Sequence, residues 1–501
     1  MYNEIVYASD EESIEFEPSE AEGYGGVGGP SKWRMWATSA LLALLTFFVF
    51  SDQSIVAPNL TAIAREFGMT DQERDWKLGG ILSMLFFIVG GPASLLAGYL
   101  ADTVGRRILL IMVFTAMGGV PCVCTFFVKN FAQILATRTF AGFSMGGALP
   151  ILFSLLGDLF PSSHRTYVGG AFALVSSTGQ GVGLFIAGIT GAKLGWRYVF
   201  LFVGIPMIVV AIATWLLVPE PEKGAADGRG PSRAEPEDRG RSRAPMLSIF
   251  RVLTNNLIYL QATFGCLPWG VMFAFMTDYL AQDVGLGVVK ATTVATSFSV
   301  GYAIGVLLNS IIGQKLQNWK PSLMGLMIGS SSIVGIFPTV FIIYSDAAKI
   351  PMWILQALAC VGGCILSAPG SILPSILINA NKPSTRGSAA AAYNLFNDVG
   401  KGLGPIFGSL LIERKRSLFL TILQKIHSVL IIAPPEHLWM FLCFFTLPPT
   451  VTGSRRSALI LSFSAWLPCG LILLGLMYSY PRDLETAKVE KVATELRDHG
   501  T

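Results

Sequence analysis

The residues of this chain that could do chemistry are charged and amide side chains set inside apolar runs. Asp52, followed by Gln53, lies about two-thirds of the way along the apolar run 35–62. Burial penalises the charged form of a carboxylate, so one in apolar surroundings takes up protons more readily than one in water. Asp52 is therefore a candidate proton site, or else a hydrated carboxylate in the outer half of a helix or one hydrogen-bonded structurally. Arg138 sits about six residues into the run 132–156. An arginine in hydrocarbon costs ~2.5–3.5 kcal/mol or more, so it should face a cavity or a partner, unless it snorkels to the interface. In AAAAYNLFNDVGKGLGPIFG (389–408), Asp398 and Lys401 are three residues apart and share a helix face, with Asn394 and Asn397 close by. Such a pair would neutralise part of its own burial cost and could open when a solute or a proton arrives. It could equally be a structural pair.

Other chemistry is not supported. The seven cysteines (122, 124, 266, 360, 364, 443 and 469) lie in apolar segments and read as small packing residues. Four scattered histidines form no metal-ligand spacing with them. No phosphate loop or nucleophile–base constellation appears, so no cofactor, no metal, no catalytic residue and no nucleic-acid partner is expected. A membrane enzyme is disfavoured on the same ground.

The elements that position these residues follow from composition. The 501 residues are 52% hydrophobic and only 14% charged, with mean hydropathy +0.57. Soluble proteins carry roughly 25% charged residues. Runs of ~20 apolar residues, long enough to cross a bilayer, are expected at 35–62, 77–100, 108–128, 132–156, 167–190, 198–218, 255–278, 291–313, 322–344, 351–377, 387–412 and 456–480. The fold class is thus all-α, a membrane protein of twelve helices in two six-helix bundles, 35–218 and 255–483. The segment 219–254 between them is rich in Pro, Gly and charge, and reads as a flexible linker. Residues 1–34 read as a disordered tail: the first 31 carry eight acidic side chains and no basic one, unlike a signal peptide. Residues 484–501 read as a second tail. With both ends cytoplasmic, the inner segments hold 20 Lys and Arg and the outer loops 8, setting aside the region 413–456; the bias supports that orientation. Neither a plasma-membrane nor an endolysosomal setting is favoured.

The two halves repeat. PSSHR (161–165) and KPSTR (382–386) align at Arg165 and Arg386, and fourteen residues later GQGVG (179–183) and GKGLG (400–404) fall in register. Gly142 then falls on Gly363 and Asp158 on Asn379, while Gly313 and Gln317 take the places of Gly98 and Asp102. A duplicated scaffold of this kind places its substrate at mid-membrane between halves that rock around it. Small residues spaced by four, as at Gly142/Gly146, Gly179/Gly183 and Gly400/Gly404, let neighbouring helices approach closely.

The string GYLADTVGRR (98–107) carries a family resemblance. It is similar to the loop between helices 2 and 3 of the major facilitator superfamily, G-x-x-x-D-x-x-G-R-[KR], at Gly98, Asp102, Gly105, Arg106 and Arg107. Arg138-x-x-x-Gly142-x-x-x-Gly146 resembles the buried arginine motif of helix 4 in that superfamily. Gly400-x-x-x-Gly404-Pro405 resembles the kinked glycine-proline motif that many exchangers carry on helix 5, but here it is on helix 11. SDQSIVAPNL (51–60), LPWGVMFAFMTDYLAQD (267–283) and RGSAAAA (386–392) resemble Spinster-type transporters. Gln53 departs from the arginine of that branch, and Ser144-Met145-Gly146-Gly147 from its Gly-Glu pair. The resemblance implies a transporter that moves a small organic solute (an organic anion, a sugar-like or a lysolipid-like molecule) by alternating access, with or without protons, as a monomer in the bilayer. A facilitator without coupling, or a solute sensor with the same fold, is the alternative. Asp102, Arg106 and Arg107 would form a cytoplasmic gate.

One stretch fits poorly. Some forty residues (413–456) separate the last two spans, where a short outer loop is expected, and read best as an insertion. The basic residues at 414–416 and 455–456 also break the positive-inside pattern if they face outward.

Overall fold

The computed structural model describes residues 32–104, 106–160, 165–220, 249–345, 348–381, 385–413 and 454–498. The acidic tail to residue 31, Gly105, linker residues 221–248 and the bulk of the late insertion, 414–453, lie outside these.

Twelve helical units appear among the described residues. The first bundle comprises α1 (Met35–Glu66), α2 (Asp71–Ala101), α3 (Arg107–Phe127), α4 (Phe131–Leu156), α5 (Gly170–Leu194) and α6 (Trp196–Leu217). The second comprises α7 (Leu253–Met276), α8 (Val288–Trp319), α9 (Ser322–Tyr344), α10 (Met352–Asn379), α11 (Arg386–Ile412) and α12 (Arg455–Leu474). Eleven of them are long and apolar enough to cross a membrane. The exception is α11, whose 27 residues include Arg386, Asp398 and Lys401. Helical structure extends beyond some of these limits: α2 runs on to Val104, and the chain after α12 stays helical to Asp498, well into the expected tail.

Large apolar side chains point outward, among them Phe140, Phe202, Trp215, Ile311 and Trp353. That pattern suits lipid contact, because in a bilayer helices need not hide apolar surface from their surroundings. What brings helices together is close fit. A methyl group at Gly142 or Gly146 would overlap the carbonyls of Phe86 and Gly90 on α2. Gly179 and Gly183 of α5 lie equally close to the backbone at Phe47 and Ser51 of α1. In the second bundle, Gly400 and Gly404 of α11 press on Thr263 and Leu267 of α7. The register read from the two glycine strings is thus the register of two equivalent helix contacts.

The halves meet along α2 against α11 and along α5 against α8. The side of the molecule where the described chain begins and ends is called terminal here, and the opposite side distal. Near the distal side the helices lose regularity. Ala57–Asn59 of α1 forms a 3-10 turn around Pro58. Wide, π-helical turns occupy Arg74–Leu82 of α2, and Met272–Met276 and Tyr279–Asp283 at the end of α7.

Candidate functional site

Two of the singled-out charges meet. Arg138 Nη1 on α4 donates to Asp52 Oδ1 on α1 at 2.7 Å, and the side chains are 1% and 4% exposed. Nη2 reaches Thr125 Oγ1 of α3 at 3.4 Å, and the guanidinium lies 4.9 Å from the Phe200 ring centre of α6. The pair therefore stands among α1, α3, α4 and α6, inside the first bundle. Asp52 is not an isolated carboxylate: its partner is the arginine whose burial required one. Gln53, beside it, keeps a buried Oε1 without a hydrogen-bond partner among the described residues.

The residues of α11 occupy a different place. Asp398 turns toward the other half, where a methyl at Gly90 of α2 would lie 3.6 Å from its Oδ2. No ion pair within 4.0 Å joins Asp398 to Lys401. The pair expected from their spacing is open, because Asp398 leans across the interface between halves. Asn397 Oδ1 accepts from the Cys266 thiol on α7 at 3.4 Å, and Asn394 is exposed. Pro405 is buried where α11 meets Gly270 of α7. Nearby, the Trp269 ring lies 5.5–5.9 Å from those of Phe273, Phe298, Tyr302 and Trp466. Phe273 in turn stacks on Phe87 of α2 at 6.3 Å. An aromatic wall thus runs from the second half to the first. No hydrogen bond or ion pair among the described residues links the Asp52–Arg138 pair to Asp398 or Lys401.

At the terminal side, the GYLADTVGRR segment divides. A methyl at Gly98 would meet nothing within 4 Å among the described residues, and Asp102 continues the helix of α2. Gly105 lies outside the described residues. Arg106 is exposed. Arg107 is 2% exposed; its Nε bonds Glu220 at 3.2 Å and its Nη1 bonds Ser154 at 3.2 Å. Glu220 also accepts the backbone N–H groups of Arg107 and Ile108 at 3.0 and 2.8 Å. A carboxylate here satisfies the orphan donors that open α3 and suits the positive end of the helix dipole. Read from sequence, Glu220 belonged to the flexible linker; the structure makes it a clasp on the first bundle.

The distal side holds a cluster that the sequence analysis did not assemble. Arg455, at the start of α12, bonds Asp75 of α2 through Nε at 3.1 and 3.2 Å and through Nη2. Its Nη1 bonds Asp278 at 2.8 Å and Asp283 at 3.0 Å, both just past the end of α7. Arg74 bonds Asp75 at 3.0 Å and Asp71 at 2.7 Å, and lies 4.0 Å from Asp278. Thr61 of α1 donates to Asp278 at 2.9 Å, and Ser409 of α11 donates to the Asp75 carbonyl at 2.7 Å. Several of these bonds cross between halves, so the distal ends are latched together. A cavity of about 280 Å³ lies over the latch, with Arg65, Gln282 and Asp283 in its wall.

The model of the Major Facilitator Superfamily matches residues 42–405. The chain belongs to that superfamily. Among relatives, quinidine resistance protein 1 of Saccharomyces cerevisiae is 30% identical over 185 residues, 36% of this chain and only 31% of that protein. The sphingosine-1-phosphate transporter SPNS2 of Danio rerio is 24% identical over 382 residues, 70% of this chain and 71% of that one. A solved bacterial homologue of the human lysosomal transporter Spinster, inward-facing and unoccupied, superposes with a TM-score of 0.69 at 17% identity, covering 91% of this chain and 99% of the other. Within the superfamily the chain is similar to Spinster-type proteins over most of its length. The facilitator's distal latch had one legible signal. The basic residues at 455–456, like those at 414–416, break the positive-inside pattern if they face outward, and a cation so placed calls for local carboxylates.

Proposed function

We propose that this facilitator is a proton-coupled transporter of a small organic anion, working by alternating access. The observation that carries the reading is the Asp52–Arg138 pair: a carboxylate and a guanidinium joined at 2.7 Å, almost wholly buried, on two helices of one bundle. A proton on Asp52 would break the ionic bond and leave Arg138 needing a new partner, so the proton and the helix arrangement are tied together. Such a device biases two states by the difference in their affinity for the proton. On this reading a latched distal side belongs to the state open toward the terminal side, and the excess of Lys and Arg there suits the cytoplasm.

The anion is supported by Lys401, which has no carboxylate within 4.0 Å among the described residues although α11 borders the interface between halves. The aromatic wall around Trp269 offers an apolar body a flat surface, and one relative is named as a sphingosine-1-phosphate transporter.

The test is uptake by the full chain in liposomes, with a panel of organic anions offered with and without an imposed pH gradient. The wild type should accumulate its substrate only with the gradient. Asp52→Asn should abolish accumulation while leaving substrate binding intact. Accumulation by Asp52→Asn at the wild-type level would reject the coupling role.

A further inference from the structure

The cavity of about 280 Å³ over the distal latch takes its walls from both halves: Arg65 of α1 and Asp71 and Arg74 of α2 on one side, Gln282, Asp283 and Arg455 on the other. The charges in these walls are only partly used. Arg74 is 8% exposed. Its Nε bonds Asp75 and its Nη1 bonds Asp71 and Thr61, whereas Nη2 makes no hydrogen bond among the described residues and is not sealed in protein. The guanidinium of Arg65, exposed in the same wall, has no hydrogen bond or ion pair among the described residues. Asp71 gives Oδ1 to Arg74 and Asp283 gives Oδ2 to Arg455; the second oxygen of each makes no hydrogen bond among the described residues. One wall thus presents guanidinium donors and carboxylate acceptors that nothing in the described chain fills.

We propose that this cavity binds a small zwitterion, a molecule with one carboxylate and one ammonium group, and that the bound molecule holds the distal latch closed. The carboxylate lies against Arg65 and Nη2 of Arg74, since the planar guanidinium suits a carboxylate. The ammonium lies against the open oxygens of Asp71 and Asp283. Charge selects the class. The walls hold three guanidinium groups and two carboxylates. Asp75 and Asp278 bond the same guanidinium groups from beneath, which makes four carboxylates to three guanidinium groups. With the sum so near zero, a lone anion or a lone cation gains contacts of one sign and meets repulsion from the other. A zwitterion answers both and adds no net charge. The volume lies just under the roughly 300–1,000 Å³ of drug-sized pockets and suits a molecule of few heavy atoms. Because each half supplies one side, the site is whole only while the latch is closed. A ligand shifts an equilibrium toward the state it binds better, so occupancy keeps the distal side shut.

The site stands apart from the proton-coupling reading, and its test needs no flux measurement. The full chain in lipid nanodiscs is titrated with tritiated glycine, β-alanine and γ-aminobutyrate, which carry the same two charges at three spacings. At least one should bind saturably, and acetate or methylammonium at equal concentration should not displace it. Arg65→Gln removes a guanidinium without bonds to the described residues, so the fold should survive. Its half-saturating concentration should nevertheless rise about tenfold or more, the loss expected for a hydrogen bond to a charged group. Asp71→Asn should weaken binding in the same sense. Lys129→Gln, which removes an exposed cation elsewhere on the distal side, should not. Closure is read from spin labels at Gln72→Cys and Lys290→Cys, exposed positions of the two halves outside the cavity wall, with the native cysteines replaced. Ser409→Ala weakens the latch without touching the wall, because it removes the bond to the Asp75 carbonyl; in that background the saturating probe should return the distance to its short value. No saturable binding, displacement by either single-charge ion, unchanged affinity in Arg65→Gln or Asp71→Asn, an equal loss in Lys129→Gln, or an unmoved label distance would each overturn the proposal.

Discussion

Arg138 and Arg455 are both buried guanidinium groups, and they are held in opposite ways. Arg138 has one carboxylate and a ring face, all within one bundle. Arg455 has three carboxylates, drawn from both halves. Removing one partner of a buried pair strands the other charge, at a cost of about 3–5 kcal/mol. Asp52→Ala should therefore lower the thermal unfolding temperature in detergent clearly, and Asp52→Ala with Arg138→Met should recover part of the loss. If the double variant is no more stable than Asp52→Ala, the two side chains do not act as a pair. Arg455→Lys keeps the charge but gives up the planar fork that reaches several carboxylates at once. The distance between spin labels at Gln72→Cys and Gln282→Cys, exposed positions on the two halves beside the latch, should then lengthen. From sequence, Asp52 and Arg138 were each readable as charges too deep to stand alone. Their pairing was not, because they lie 86 residues apart, and the depth of a residue in a span does not say which way its side chain turns.

The elements owe their arrangement to backbone contact at glycine and to irregular turns. Gly142 and Gly146 let α4 lie against α2 carbonyls, so a larger side chain must push the helices apart. Gly142→Leu should destabilise the protein by about 1–3 kcal/mol or more, the range for overpacking, seen as a lower unfolding temperature. Gly98→Ala adds its methyl to open space and should leave that temperature unchanged. Equal effects would discredit the packing argument. Helix number and the glycine registers were legible because spans and spacings repeat along the chain. The π-helical turns at Arg74–Leu82 and Tyr279–Asp283 were not. A wide turn leaves the hydrophobic pattern nearly intact, yet it rotates the side chains after it, and both of these turns serve the latch. Such turns often mark functional positions in helices.

At the scale of the whole molecule, the described ion pairs close the distal side. There the two halves share charges, and at the terminal side the described bonds of Arg107 include those to Glu220 and Ser154 of its own half. If Asp102, Arg106 and Arg107 close the terminal side in the opposite state, Asp102→Asn should slow transport severely at unchanged surface expression. Flux near the wild-type rate would remove that role. The two-bundle plan and its pseudo-symmetry were open to reading, since duplication leaves in-register traces. The latch was hidden because its members sit in four distant stretches, two of them at span ends where charge is ordinary. Its central arginine also has a consequence for biosynthesis. Arg455 opens the last of the twelve helices, so the ribosome supplies it after every carboxylate it must neutralise. Until then, among the described guanidinium groups, Asp75 and Asp278 have only Arg74 within 4.0 Å. A nascent chain therefore lacks the Arg455 bonds of the distal side until α12 is made, and a product truncated before residue 455 would be without them.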